Sequence, residues 1–264
     1  MDEVIIIDKK QLKSPSYLWN LRKELHSRHF DMTLDLQCIA KSAIVSLLSG
    51  SPEKYGYWEL REGSQLVNKA LVGAHKYDHV IERYLDTVRA LGGEVDGVEF
   101  PMPHDHAAEG KIRNRLSELG VTDDYVVVVP GARWIVKEWP LLNFGELCIR
   151  LCESGKKVVI AGSPDDSEKG QFIENYVKSD NLINLVGQTT MAELIELIRH
   201  CHIFISADTG PLHIANALKK PLIALFGTTS PHRTGPYGGS HVHLIISPTS
   251  KATPEQPLVD DPDC

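Results

Sequence analysis

IFISADTGPLHIANALKKPLIALF (203–226) reads as strand, helix, strand. Residues 203–206 and 222–226 are short apolar runs without the alternation of a half-exposed strand. Between them a helix is expected over 211–218, with Pro211 in the first turn, where a helix accepts proline. Strands joined by a helical crossover run parallel, and parallel strands covered on both faces carry this continuous apolar character. Ligands of such open sheets sit at the carboxyl ends of the strands. Asp208-Thr209-Gly210, directly after the first strand, and His213 one turn on, are therefore the first candidates for a site.

The same alternation extends outward. Strands are expected at 125–129, which holds four consecutive valines, and at 157–161, 182–186 and 242–246. Helices are expected at 141–154, 165–177 and 191–200, the last opened by a Thr190/Glu193 capping box. Residues 125–264 thus form a doubly wound, Rossmann-like α/β domain. The earlier part is less regular. A strand at 4–7, a helix at 17–30, a strand at 32–36 and helices at 39–48 and 79–91 make residues 1–105 a partial Rossmann-like domain. Residues 106–124, with a charged helix at 111–119, are expected to connect the two.

The bulk numbers exclude several classes. The chain has 264 residues, 42% hydrophobic and 24% charged, with a net charge of -7, which argues against a nucleic-acid partner. The acidic start, MDEVIIIDKK, does not read as a signal peptide, and no run approaches the roughly 20 apolar residues of a membrane span. The five cysteines, Cys38, Cys148, Cys152, Cys201 and Cys264, include no C-x-x-C pair and are expected to be reduced thiols of a cytoplasmic protein. Among twelve histidines, the pairs His104/His106 and His241/His243 lack a third ligand at a recognisable spacing, so no metal is expected.

Each strand end offers chemistry. After 129 come Pro130-Gly131-Ala132-Arg133-Trp134 and Lys137, a point charge suited to phosphate. After 161 come Gly162-Ser163-Pro164-Asp165-Asp166, where a carboxylate can accept from ribose hydroxyls or simply cap a helix. After 207 the amides of Thr209 and Gly210 open a helix and form an anion site, reinforced by the helix dipole. The alternative there is ordinary capping with a packed histidine. After 226, Gly227-Thr228-Thr229-Ser230 makes a small, hydroxyl-rich rim, expected to be mobile. Neither G-x-G-x-x-G nor G-x-x-x-x-G-K-[ST] occurs.

PGARWIVKEWP (130–140), GSPDD (162–166) and SADTGPLHIANALKKPLIALFGTTSPHRTGPYG (206–238) together resemble glycosyltransferase family 9, the ADP-heptose:lipopolysaccharide heptosyltransferases. FDMTLDLQCIAKSAIVSLLSG (30–50) is similar to the family's D-x-Q-G-x-x-K-S segment, with Cys38 where glycine is usual. The resemblance implies a GT-B fold of two Rossmann-like domains and inverting transfer from a nucleotide-diphosphate sugar, by family default ADP-heptose, with no cofactor. Its acceptor would be a lipid-linked glycan of the lipopolysaccharide core, met at the cytoplasmic face of the inner membrane. By position, Lys137, Asp166, Asp208, Thr209, Gly210 and His213 would bind the donor, with Asp35, Gln37 and Lys41 on the acceptor side. The family's opening strand and S-x-G-D turn, whose Asp is taken as the catalytic base, have no counterpart, nor does its final helix. A piece truncated at both ends, with its catalytic residue unassigned, is the expectation. A non-catalytic nucleotide-sugar-binding fragment and a sugar-nucleotide epimerase are the alternatives.

Overall fold

The computed structural model describes residues 3–122, 124–253 and 256, and Cys264 lies outside them. It forms two compact units, Met1–Gly97 and Val98–Cys264.

In the first unit, β1 (Met32–Asp35), β2 (Glu53–Tyr57) and β3 (Lys69–Leu71) pair in parallel in that order. They are accompanied by α1 (Pro15–His26), α2 (Ala40–Leu48) and α3 (Val80–Ala90). Leu21 and Leu25 recur four apart on α1 and are its buried residues. The strand expected at 4–7 does not form. Val4 and Ile6 are 69% and 90% exposed, and none of the described strands pairs with this run, so its β-branched character has no ladder to join. Conversely, β2 and β3 escape a reading by hydrophobicity, because EKYGY is polar and KAL is three residues long.

The second unit begins earlier than position 125. Residues 106–124, expected as a connection, fold largely as α4 (His106–Glu118) and its exit turn. Asp105 caps α4 by accepting from the amides of Ala107 and Ala108. Ile112, Leu116 and Val121 are buried in the core of this unit, which makes the segment part of the domain.

That core surrounds a six-stranded sheet, all parallel, built from β4 (Tyr125–Val129), β5 (Lys157–Ile160), β6 (Leu182–Asn184), β7 (Ile203–Ala207), β8 (Leu222–Phe226) and β9 (Val242–Ile246). Its spatial order is β6-β5-β4-β7-β8-β9. The valines of β4 explain why it is central. Val126 and Val128 face one layer, with Phe144, Cys148 and Cys152 of α5 (Leu141–Glu153) and Ile173 of α6 (Ser167–Val177). Val127 and Val129 face the other, with α4, α7 (Met191–His200) and α8 (Gly210–Ala217). A short α9 (Pro231–Thr234) follows β8. In chain order within the domain the sheet reads 3-2-1-4-5-6, so the winding reverses between β4 and β7, and a crevice opens there at the carboxyl ends.

The cysteines behave as packing residues. Cys38, Cys148, Cys152 and Cys201 are free and buried. Burial pushes the thiols of Cys148 and Cys201 up to about 12, which keeps them protonated and unreactive.

Candidate functional site

The loop after β4 and the start of α8 meet at the reversal point. The Lys137 ammonium donates to Asp208 Oδ2 at 2.7 Å, and the Thr229 hydroxyl donates to the same oxygen at 2.9 Å. Asp208 is 8% exposed, so its charge is stabilised by these partners rather than by water. Lys137 lies 5.9 Å from the centroid of the Trp134 ring, which narrows the range it can sweep. Its loop is tied down from the far strand, where Thr228 donates to the Val136 carbonyl at 2.7 Å. Thr228, Thr229 and Ser230 are 5% exposed or less, so the expected mobile rim is instead a packed support beneath Lys137 and Asp208.

α8 begins without a side-chain cap, although its N-cap is Thr209. The Thr209 hydroxyl is buried with no hydrogen-bond partner, as is that of Ser230. Uncapped first-turn amides and unpaired buried hydroxyls are each costly unless a ligand or water meets them. Apart from its chain neighbours and its own helix backbone, nothing lies within 4 Å of where a Gly210 Cβ would stand, so there is free space beside this residue. His213 is one turn in. Its ring reaches solvent, but the protein around it, more than the nearby Lys137, holds the imidazole below its usual value, with Asp208 pulling the other way.

From this corner a cleft of about 720 Å³ runs along the carboxyl ends of β4 and β5 to the start of α7. Gly131, Asp166, Lys169, Thr190, Thr209 and Gly210 line it. Asp166 accepts from Ser163 Oγ at 2.5 Å and from Lys169 Nζ at 2.9 Å. Burial alone would raise its carboxyl, but Ser163 and Lys169 outweigh burial and hold it low. Lys169 also pairs with Glu138, whose carboxylate accepts from the Ala132 amide at 3.0 Å. A methyl on Gly131 would stand 2.1 Å from Asp166 Oδ1, so only glycine lets the two strand-end loops close on each other here. Glu138 and Lys169 are not among the residues expected from the sequence, and Thr229 is there only as part of the hydroxyl-rich rim. Glu138 lies next to Lys137 in the quoted motif and was within reach, whereas the pairing of Lys169 with two loops appears only on folding.

Six of the expected residues are therefore distributed over one corner and the cleft it adjoins. Lys137, Asp208 and His213 form the corner, Thr209 and Gly210 belong to both, and Asp166 lies along the cleft. The three in the first unit are a separate group. Asp35 is buried and accepts four hydrogen bonds, from the amides of Gln37 and Cys38 and from Ser42 Oγ and Asn68 Nδ2. It organises the β1–α2 turn. Gln37 and Lys41 are exposed beside it. Cys38 has φ 55, the left-handed region that favours glycine, which gives a physical reason for glycine at this place in the motif.

A family model described as Glycosyltransferase family 9 (heptosyltransferase) matches residues 18–259. Lipopolysaccharide heptosyltransferase 3 of Escherichia coli (strain K12) is 30% identical over 222 residues, 80% of this chain and 62% of that protein. Lipopolysaccharide heptosyltransferase 1 of Pseudomonas aeruginosa is 28% identical over 227 residues, 84% of this chain and 61% of that protein. The chain thus spans about three fifths of the length of these relatives. Among solved structures, E. coli ADP-heptose lps heptosyltransferase II matches with a TM-score of 0.72 at 26% identity, over 90% of this chain and 78% of the other. The glycosyl transferase family 9 protein of Veillonella parvula DSM 2008 shares the fold at a TM-score of 0.80 and 22% identity, over 94% and 72% of the two chains. Two units with parallel sheets, of the GT-B class, are what these neighbours and this chain have in common. A motif set concentrated at the strand ends, the strand order that puts those ends together, and a family match running from residue 18 to 259 lead to one conclusion: the chain belongs to glycosyltransferase family 9.

Proposed function

We propose that the second unit holds the diphosphate of a nucleotide-sugar donor at the start of α8, and that the protein transfers the sugar, with inversion, to a glycan acceptor. The observation that carries this reading is the Lys137–Asp208 pair at 2.7 Å, set against a helix start that no side chain caps. An acceptor hydroxyl attacks the anomeric carbon, its proton passes to solvent, and the bond to the nucleoside diphosphate breaks, so negative charge grows on the leaving oxygens. First-turn amides of α8 and the Lys137 ammonium are fixed before that charge appears, and fixed donors stabilise it without reorganisation. Asp208 holds Lys137 in place and is a positioning residue. His213, kept neutral by its surroundings, can donate a hydrogen bond from the same helix turn. The charge is met by the protein's own groups, so the reading requires no cofactor.

The nucleoside would extend into the cleft, with Asp166 facing its ribose. ADP-heptose is the favoured donor, because the solved relative at 26% identity is an ADP-heptose heptosyltransferase. The lipopolysaccharide heptosyltransferases similar to this chain favour a lipid-linked core glycan as the acceptor, met at the cytoplasmic face of the membrane. No helix among the described residues is long and apolar enough to cross a membrane.

Calorimetry with ADP tests the binding claim. Wild-type chain should bind, and Lys137→Ala should weaken binding at least tenfold, about 1.4 kcal/mol. Wild-type affinity in that variant would overturn the assignment. Transfer from ADP-heptose to a deacylated core acceptor tests the second claim, and Lys137→Ala, Asp208→Ala and His213→Ala should each slow it by roughly 10²-fold, as for loss of one oxyanion donor. Binding without transfer would leave a nucleotide-sugar-binding module.

A further inference from the structure

Away from the cleft, three imidazoles converge on one carboxylate. His104 Nε2 lies 3.0 Å and His106 Nδ1 3.5 Å from Glu109 Oε2. His200 Nε2 lies 3.0 Å from Glu109 Oε1. The sequence gives His104 and His106 no third ligand at a familiar spacing. Folding supplies two, because Glu109 is one turn further along α4 and His200 ends the neighbouring α7. The ligand atoms of His104, His106 and Glu109 all fall within 4.8 Å of one another. Tetrahedral zinc with bonds of 2.0–2.1 Å sets its ligand atoms about 3.3 Å apart, so side-chain rotations would close these three on an ion, and a further rotation of His200, which faces the other Glu109 oxygen, would complete the set.

The surroundings fit a cation. His200 Nε2 is buried and, though it faces Glu109, makes no well-directed hydrogen bond. That nitrogen therefore has no satisfied hydrogen bond to give up on meeting a cation. Glu196, 0% exposed, is 3.6 Å from His104 Nε2 and is anchored by Arg199 at 2.9 Å and by the Asp105 amide at 3.1 Å. It faces the same His104 nitrogen as Glu109 does and so adds negative charge beside the cluster. Arg113, 3.7 Å from Glu109 Oε1, is the one competing cation within the cluster among the described residues, and it is half in solvent.

We infer that His104, His106, Glu109 and His200 form a binding site for one divalent transition metal, zinc by preference, clipping the entry of the second unit to the end of α7. Three neutral imidazoles and one carboxylate are borderline ligands of the kind zinc takes. The site is structural. Thr190, in the cleft, lies at the opposite end of α7, about 15 Å away along the helix axis.

The test uses the full chain, stripped with chelator, and zinc chloride as the probe. Calorimetry should give one equivalent of Zn2+ per chain, and Zn2+ should raise the melting temperature by mass action. Co2+ should bind at the same stoichiometry with the visible absorption of a four-coordinate ion. His106 is 83% exposed at its side chain, so His106→Ala will fold, and it should lose affinity at least about tenfold. The pair His104→Ala/His106→Ala should abolish binding, while His243→Ala, on an exposed position of β9, should not change it. Absence of Zn2+ binding in wild-type chain, or unchanged binding in the double variant, would overturn the site. ADP affinity is a separate readout and should be the same with and without Zn2+.

Discussion

At the scale of single residues, Lys137 and Asp208 illustrate how a site can be both stable and loaded. Breaking the pair from either side leaves a partly buried charge without its partner, so a single substitution conflates stability with binding. The double variant Lys137→Met/Asp208→Asn removes both charges and keeps the shape. It should unfold within about 1 kcal/mol of wild type in urea, since neutral isosteres often replace such pairs at little cost, yet fail to bind ADP. Restored binding in this variant would place the diphosphate elsewhere. His213 gives a pH signature. Its folded pKa is depressed, so folding is favoured while both states are neutral, above the unfolded value of 6.5. As pH falls below 6.5 the unfolded chain takes up the proton first and stability is lost. Wild type should therefore lose more stability between pH 7.5 and 5.5 than His213→Gln, read as the difference in urea midpoints. Equal losses would show that the imidazole is as free to charge as in water.

At the scale of elements, two neighbouring helices begin in opposite ways. α7 has a complete capping box, with Thr190 accepting from the Glu193 amide at 3.2 Å and Glu193 accepting from the Thr190 amide at 2.8 Å. α8 has a threonine in the same place and no cap. Thr190→Ala should cost about 1 kcal/mol, whereas Thr209→Ala should cost less in stability and show its effect in ADP affinity. The contrast was half legible. D-T-G-P marks a helix start in the sequence, but whether the threonine caps it depends on rotamer and burial, which only the fold decides. Likewise, the valines of β4 announced a central strand, and the strand ends pointed to Lys137 and Asp208, which the fold brings together. β2 and β3 stayed hidden because three to five residues with Glu, Lys and Gly carry no periodicity. α4 read as a connection because its charges, not its buried Ile112 and Leu116, dominate the eye. Gly131 was readable only as a permissive residue. The fold makes it obligatory, and Gly131→Ala, by displacing Asp166 from Ser163 and Lys169, should destabilise by about 1–3 kcal/mol and weaken ADP binding together.

At the scale of the molecule, the two units differ in what holds them. The second has a six-stranded sheet with apolar layers on both faces, dominated by Val, Ile, Leu and Phe. The first has strands of four, five and three residues, and Arg83, Asp86, Ser64 and Asn68 are among its buried groups. Burial of apolar area is the main favourable term in folding, so the first unit has less to offset its chain entropy. Chemical unfolding of the whole chain should therefore proceed in two steps, the first unit melting at lower urea. Tryptophans separate the steps, since Trp19 and Trp58 lie in the first unit and Trp134 and Trp139 in the second. A ligand that binds only native protein stabilises it by RT ln(1 + [L]/Kd), about 2.7 kcal/mol at a hundredfold excess over Kd. ADP should move the step seen by Trp134 and Trp139 by that amount and leave the other where it was. If both steps move together, the donor site draws on residues of both units and the assignment of binding to the second alone is wrong.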